Sequence, residues 1–142
     1  MTTDHHHETS DNEAEQVLRA YLAALTAGDV TAIAESFAQD ARWSVHGTLP
    51  LAGTKDGRAA IMKFLLGAGS LYRPGTQHFT FGDIIVQGER VVLEWRVRGI
   101  ASATGLPYDN EYCGVFTVRH GRIVRVREYL DSLHAAQVLF AA

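Results

Sequence analysis

Downstream of Pro74 the periodicity of the chain changes, and this narrows the folds open to it. Upstream, apolar residues recur at helical spacing, as in Val17, Leu18, Tyr21, Leu22 and Leu25, and again in Ile61, Phe64 and Leu65. From Gln77 to Asp131 the pattern is strand, turn, strand. It is broken at Gln87-Gly88-Glu89, at Ala103-Thr104-Gly105 and at His120-Gly121, the last a tight-turn signal. Successive strands joined by short turns run antiparallel, so this half reads as a meander of four long strands. Three helices first and a curved antiparallel sheet second is an α+β layout.

Local signals place the elements. Ser10 and Glu13 form an S-x-x-E capping box, and Gly28 stands where a helix C-terminal cap belongs. Asp29 can cap a shorter second helix with Val30, Ile33 and Phe37 on its apolar face. Residues 41–46 (ARWSVH) read as a strand, and residues 47–57, with Pro50 and Gly53, as a loop or short hairpin. A third helix is expected from about Arg58 to Leu66, ended by Gly67 and Gly69, and residues 132–142 as a short helix or docking tail. Residues 1–9 have no apolar anchor and read as a disordered tail, leaving 10–142 as a single domain. His5, His6 and His7 read as a tag remnant or solvated tail, with metal binding the alternative.

Composition excludes several classes. At 142 residues with 46% hydrophobic side chains, one core can form without a staple. Cys113 is the single cysteine, so neither an intramolecular disulfide nor a thiolate zinc site is available. Thirteen basic against 16 acidic side chains argue against a nucleic-acid partner. No apolar run approaches the roughly 18–20 residues that span a bilayer, and the polar, acidic start is unlike a secretory signal. The expectation is a soluble, cytoplasmic domain with neither nucleic acid nor membrane as partner. No G-x-S-x-G, P-loop, G-x-G-x-x-G or H-E-x-x-H motif occurs, and His78, His120 and His134 form no metal-ligand spacing.

Strand alternation then sorts side chains by face. In the last strand Val124, Val126, Glu128 and Leu130 share one face, apolar except for Glu128; Ile123, Arg125, Arg127, Tyr129 and Asp131 share the other. A carboxylate on a core-facing row is costly unless paired or neutralised, and burial raises its pKa toward the range useful for acid–base work. The alternative is a glutamate satisfied by a core tyrosine or arginine. The same rule lines up Trp43 and Val45; Val91, Leu93, Trp95 and Val97; and Tyr108, Asn110, Tyr112, Gly114, Phe116 and Val118. Gly114 leaves a gap among large neighbours, which marks a bulge or room for a ligand. Tyr21 is the hydroxyl within the first helix's apolar stripe; a core tyrosine bonded to backbone is its plainer reading. His46, at a strand end beside Gly47, is either a cavity-mouth residue or an exposed histidine. Cys113 has outward parity, which suits an interface residue better than a nucleophile.

Three stretches carry a resemblance: YLAALTAGDVTAIAESFAQDARWSVHG, PLAGTKDGRAAIMKFL and GLPYDNEYCGVFTVRHGRIVRVREYLD. Together they resemble the SnoaL-like, ketosteroid-isomerase-related branch of the nuclear transport factor 2-like superfamily, over about residues 14–131. The resemblance implies a cone-shaped α+β barrel (a cystatin-like roll), with a curved sheet wrapped around three helices and a deep apolar pocket. It also implies a homodimer formed through the outer face of the sheet. In steroid isomerases a helix-one tyrosine polarises the substrate oxygen, and Tyr21 matches that position. The isomerase's basic aspartate falls at Val45 or Ser44, and its neutral, hydrogen-bond-donating aspartate near Gly114, so isomerisation by that mechanism is not supported. In limonene-epoxide-hydrolase-like proteins a last-strand carboxylate activates water, and its position is Glu128. The arginine–aspartate pair of that family falls near Trp95 and Val97, unless a bulge turns Glu94 and Arg96 inward.

Residues and resemblance together point to a small enzyme acting on an apolar, oxygen-bearing molecule, of the isomerase, cyclase, dehydratase or epoxide-hydrolase kind. Glu128 would be the general acid or base and Tyr21 the donor to a developing oxyanion. Asn110 and Tyr112 would orient ligand or water. Trp43, Val45, Phe64, Trp95 and Phe116 would form the wall, with His46 at the mouth. No metal or organic cofactor is implied. The competing reading is a non-catalytic ligand-binding or dimerisation module of the same fold.

Overall fold

The N-terminal capping signals are used as written. In the computed structural model, which describes residues 9–140, helix α1 spans Asp11–Ala27. The Ser10 hydroxyl accepts from Glu13 N, and the Glu13 carboxylate accepts from Ser10 N. Gly28 closes the helix in the left-handed conformation (φ 68°). Asp29 caps α2, Val30–Glu35, by accepting from Ala32 N. The expected tail residues before Thr9, the three histidines included, lie outside the described residues.

Strand β1, Phe37–Val45, begins earlier than its sequence pattern suggests. Phe37 therefore belongs to the sheet and not to the second helix, and Val30 is exposed. Its backbone explains the change: the Phe37 carbonyl accepts from both Nε and Nη2 of Arg58, at 3.1 and 2.7 Å, and Phe37 pairs with Ile123. The 47–57 segment is a hairpin whose second arm, β2 (Gly53–Asp56), runs antiparallel to β1. Helix α3 spans Arg58–Ala68, followed by a 3-10 turn at Gly69–Leu71. Strands β3 (His78–Gln87), β4 (Arg90–Ile100), β5 (Pro107–Arg119) and β6 (Arg122–Leu130) form the expected antiparallel meander. His120 and Gly121 both have positive φ (51° and 77°), the geometry a tight hairpin turn demands.

The strands form one six-stranded sheet, ordered β2-β1-β6-β5-β4-β3. It is mixed, not wholly antiparallel as expected, because β1 lies parallel to β6. It is also open, since β2 and β3 are its two edges. Helix α1 packs across β3 to β6, while α3 packs on β1 and β2, so the sheet curves around them. One core cluster joins Leu18, Phe37, Ile61, Val91, Phe116 and Val126. A second lies under the C-terminal segment, where α4 (Ser132–Ala135) and a π-helical turn (Ala136–Phe140) set Ala135, Val138 and Leu139 against Tyr72, Val97 and Tyr108. Thr104 Oγ1 donates to the Val138 carbonyl at 2.7 Å and ties this segment to the β4–β5 connection.

The inward rows of β4 and β5 follow strict alternation. In β6 the alternation breaks once. The register slips between Thr117↔Arg125 and Val118↔Ile123, so Val124 is an extra residue on the β6 side. Ile123 is therefore fully buried and Val124 only partly so, the reverse of the simple parity. Beyond the slip Val126, Glu128 and Leu130 keep the inward face. Gly114 sits in unbroken register with Leu93 and Glu128, so it marks no bulge. A Cβ there would stand 2.9 Å from both the Trp95 and Phe116 rings, so the gap is filled by ring edges and not left for a ligand.

Candidate active site

A cavity of about 210 Å3 opens between α1, α3 and the concave side of the sheet. Aromatic side chains make its inner end. Trp43 packs against Phe64 (centroids 5.7 Å apart) and edge-on against Phe116 (6.0 Å), and Tyr21 packs edge-on against Phe37 (5.3 Å). These elements meet because β1 brings Trp43 and Val45 beside Val126 and Glu128 in parallel register, while α3 lays Phe64 over them.

Glu128 is set in this hydrocarbon wall with 8% of its surface exposed. Its Oε1 accepts a 2.9 Å hydrogen bond from Trp43 Nε1, and no other side-chain bond to it is present among the described residues. Loss of water around the carboxylate pushes its pKa up to about 7, against the opposing pull of the Trp43 bond and the Lys55 charge. Half-protonated near neutrality, the group can take or give a proton. Tyr21 faces the same space, and its hydroxyl makes no hydrogen bond among the described residues. Burial, followed by the nearby Glu128 charge, pushes its pKa well above the phenol range, so it stays a neutral donor.

Of the residues singled out in the sequence, Tyr21, Trp43, Val45, Phe64, Trp95, Tyr112, Phe116 and Glu128 all line this cavity. Asn110 does not. It is buried behind the wall, where its Nδ2 donates to Tyr108 Oη and to the Asp131 carbonyl. His46 lies outside as well, exposed and stacked on Tyr129 (4.5 Å, 4° between ring planes). The polar parity of its strand carries it to the outer face.

Lys55 escaped sequence reasoning. It pairs with Trp43 across β1 and β2 and so shares its face. Its ammonium group sits 4.9 Å over the Phe64 ring and donates to the carbonyls of Leu51 and Ala52, the latter at 3.3 Å. Partial burial lowers its pKa, while the Glu128 charge acts the other way. Only the hairpin register could have revealed it, and a 47–57 loop gives no register from spacing alone. Glu94 and Arg96 stay outside: β4 pairs with β5 without a slip, and Arg96 Nε lies 2.9 Å from Asp109 Oδ1 on the outer face. No group of three or more His, Cys, Asp or Glu side chains among the described residues is placed to hold a metal ion, and no helix among them is long and apolar enough to cross a membrane.

Known proteins share this architecture. A family model described as a SnoaL-like domain matches residues 18–126. The uncharacterised protein Rv0034 of Mycobacterium tuberculosis is 29% identical over 134 residues, 94% of this chain and 99% of its own length. The crystal structure of an NTF2-like protein from Burkholderia xenovorans LB400 superposes with a TM-score of 0.78 at 28% identity, covering 92% of this chain and 98% of that one. Bal32a, from a soil-derived mobile gene cassette, superposes with a TM-score of 0.76 at 27% identity, covering 88% and 94%. Three helices under a curved sheet, with the model matched from α1 into β6, place the chain in the SnoaL-like domain family.

Proposed function

We propose that this protein is a small-molecule enzyme that performs general acid–base chemistry on an apolar, oxygen-bearing substrate, of the isomerase, cyclase, dehydratase or epoxide-hydrolase type. The observation that carries this is Glu128: a carboxylate in an aromatic wall with a single hydrogen bond, open to a cavity. A structural glutamate at this depth needs more partners than one indole N–H. Glu128 shuttles the proton, and Tyr21 donates to the oxygen on which negative charge develops. Trp43 holds one carboxylate oxygen and so presents the other to the cavity.

Two measurements test the reading. The Glu128 carboxyl, followed by carbon NMR across pH, should titrate near 7, with its signal absent in Glu128→Gln. Turnover of any apolar ketone, enone or epoxide the protein accepts should vanish in Glu128→Gln, with the fold intact by circular dichroism. Near-full activity in that variant would sink the assignment.

A second reading, a non-catalytic ligand-binding or dimerisation module, is favoured by one observation. The positions where related enzymes carry their other acid–base groups are Val45 or Ser44, Trp95, Val97 and Gly114 here, and Val45, Trp95 and Val97 line the cavity without a titratable group. Titration of Glu128 in the ordinary carboxylate range would favour this module. In either case we propose that the partner is a second copy packed on the outer face of the sheet, around half-buried Cys113, with sedimentation equilibrium as the check.

A further inference from the structure

The cavity has a second polar place, built differently from the first. Tyr112 lines it from β5, two residues before Gly114, the residue paired with Glu128. At ordinary strand rise that is a separation of about 7 Å along the strand. Trp95 stacks on the Tyr112 ring (5.3 Å, 14°) and limits its swing.

Behind Tyr112 the hydrogen bonds have a readable direction. Asn110, 3% exposed, sets Nδ2 2.9 Å from the Asp131 carbonyl and 2.7 Å from Tyr108 Oη. A backbone carbonyl can only accept, so the amide orientation is settled, and its two protons go to Asp131 and Tyr108. Tyr108 Oη lies 2.6 Å from Tyr112 Oη. With Asn110 as its donor, Tyr108 has one proton to give, and Tyr112 is its sole acceptor among the described residues. The arrangement that leaves no proton of the buried Tyr108 unpaired is the one in which Tyr112 accepts. The Tyr112 proton itself makes no hydrogen bond of normal geometry among the described residues, and the neighbouring Tyr72 hydroxyl, which also lines the cavity, stands near it. A relay of aligned bonds polarises that last O–H and makes it a stronger donor than an isolated phenol.

We infer that Tyr112, backed by Tyr108 and Asn110, forms an oxygen-binding subsite that takes a hydrogen-bond acceptor of the substrate, such as a carbonyl oxygen, while Glu128 works at a second position of the same molecule. The substrate class is thereby narrowed to a compact apolar molecule with functional groups at two separated positions, one of them an acceptor that needs no charge. Tyr112 touches the ligand; Tyr108 and Asn110 are positioning residues that act through it. The inference rests on the reading of the cavity as a substrate site, but the subsite binds whether or not Glu128 is catalytic.

The experiment compares naphthalene with 2-acetylnaphthalene as probes of the full chain. Dissociation constants come from calorimetry, and the ketone carbonyl stretch of the bound probe comes from infrared difference spectra. Wild type should bind the ketone about tenfold more tightly than the hydrocarbon, the worth of one net hydrogen bond, with the stretch moved to lower wavenumber. Tyr112→Phe should erase both the preference and the stretch shift and leave naphthalene binding unchanged. Tyr108→Phe should reduce both in part, which a purely structural tyrosine would not do. A preference that survives Tyr112→Phe and vanishes in Tyr21→Phe overturns the subsite, because the oxygen then sits beside Glu128; the acid–base reading stands in that case. Failure of naphthalene to bind wild type overturns the subsite through the cavity itself. A stretch shift in Tyr112→Phe equal to that of wild type overturns it even if both proteins bind the ketone alike.

Discussion

The Glu128 and Tyr112 regions share one concave sheet, yet they handle polarity in opposite ways. Around Glu128 a single indole N–H serves a carboxylate among aromatic rings, so the group is under-solvated and its protonation state is in play. Around Tyr112 an amide, two hydroxyls and a backbone carbonyl serve one another, and one neutral proton is left over. Burial alone, then, does not make a polar group reactive. What decides is whether its partners satisfy it, and whether what is unsatisfied is a charge or a dipole.

Varying pH should separate the two regions most strongly. The Glu128 pKa is raised in the folded state, so folding favours its protonated form. That contribution is fully present below the ordinary carboxylate range and is lost as pH rises through about 7. From pH 4.5 to pH 8 wild type should lose about 3 kcal/mol of stability relative to Glu128→Gln, read by urea denaturation of both proteins at each pH. Parallel curves for the two proteins would remove the carboxylate from the argument. The opposite region should answer differently. Tyr108→Phe strips Asn110 of an acceptor and Tyr112 of a donor, and should cost about 2 kcal/mol at pH 5 and pH 8 alike. A strongly pH-dependent cost would mean that the tyrosines share in the Glu128 titration. The smallest effect is expected from Lys55→Met. Removing the cation should move the Glu128 pKa further upward, by less than burial does, visible as a shift of the same carbon resonance. A downward shift would reverse the sign given to Lys55.

Most of the architecture was legible because it is written in local chemistry. Ser10, Gly28 and Asp29 fix helix ends through bonds that span three or four residues. Alternation in 90–100 and 107–119 sorted Trp95, Tyr112 and Phe116 inward because β4 and β5 pair without a slip. What escaped depends on the neighbour and not on the segment. The extra residue at Val124 exists relative to β5, the inward Lys55 relative to β1, and the parallel run of β1 relative to a strand 85 residues away. The site divides the same way. Glu128 stood out as a carboxylate in an apolar row, whereas Asn110 had the right parity for the cavity and lies behind Tyr108 instead, since face parity says nothing about depth.

The parallel pairing of β1 with β6 has a kinetic consequence. The first strand of the sheet cannot be satisfied along its inner edge until the last strand exists. Trp43 and Glu128, the bond at the heart of the cavity, belong to these two strands. Ordering so distant a contact closes a long loop before it yields any stabilisation, which slows folding. On the ribosome, β1 with its tryptophan must wait, unpaired on that side, while the meander is made. Ending the chain before Arg122 would therefore remove β6 from between β1 and β5, and with it both of their pairings and the Trp43–Glu128 bond of the candidate active site, so no smaller version of the sheet keeps the site.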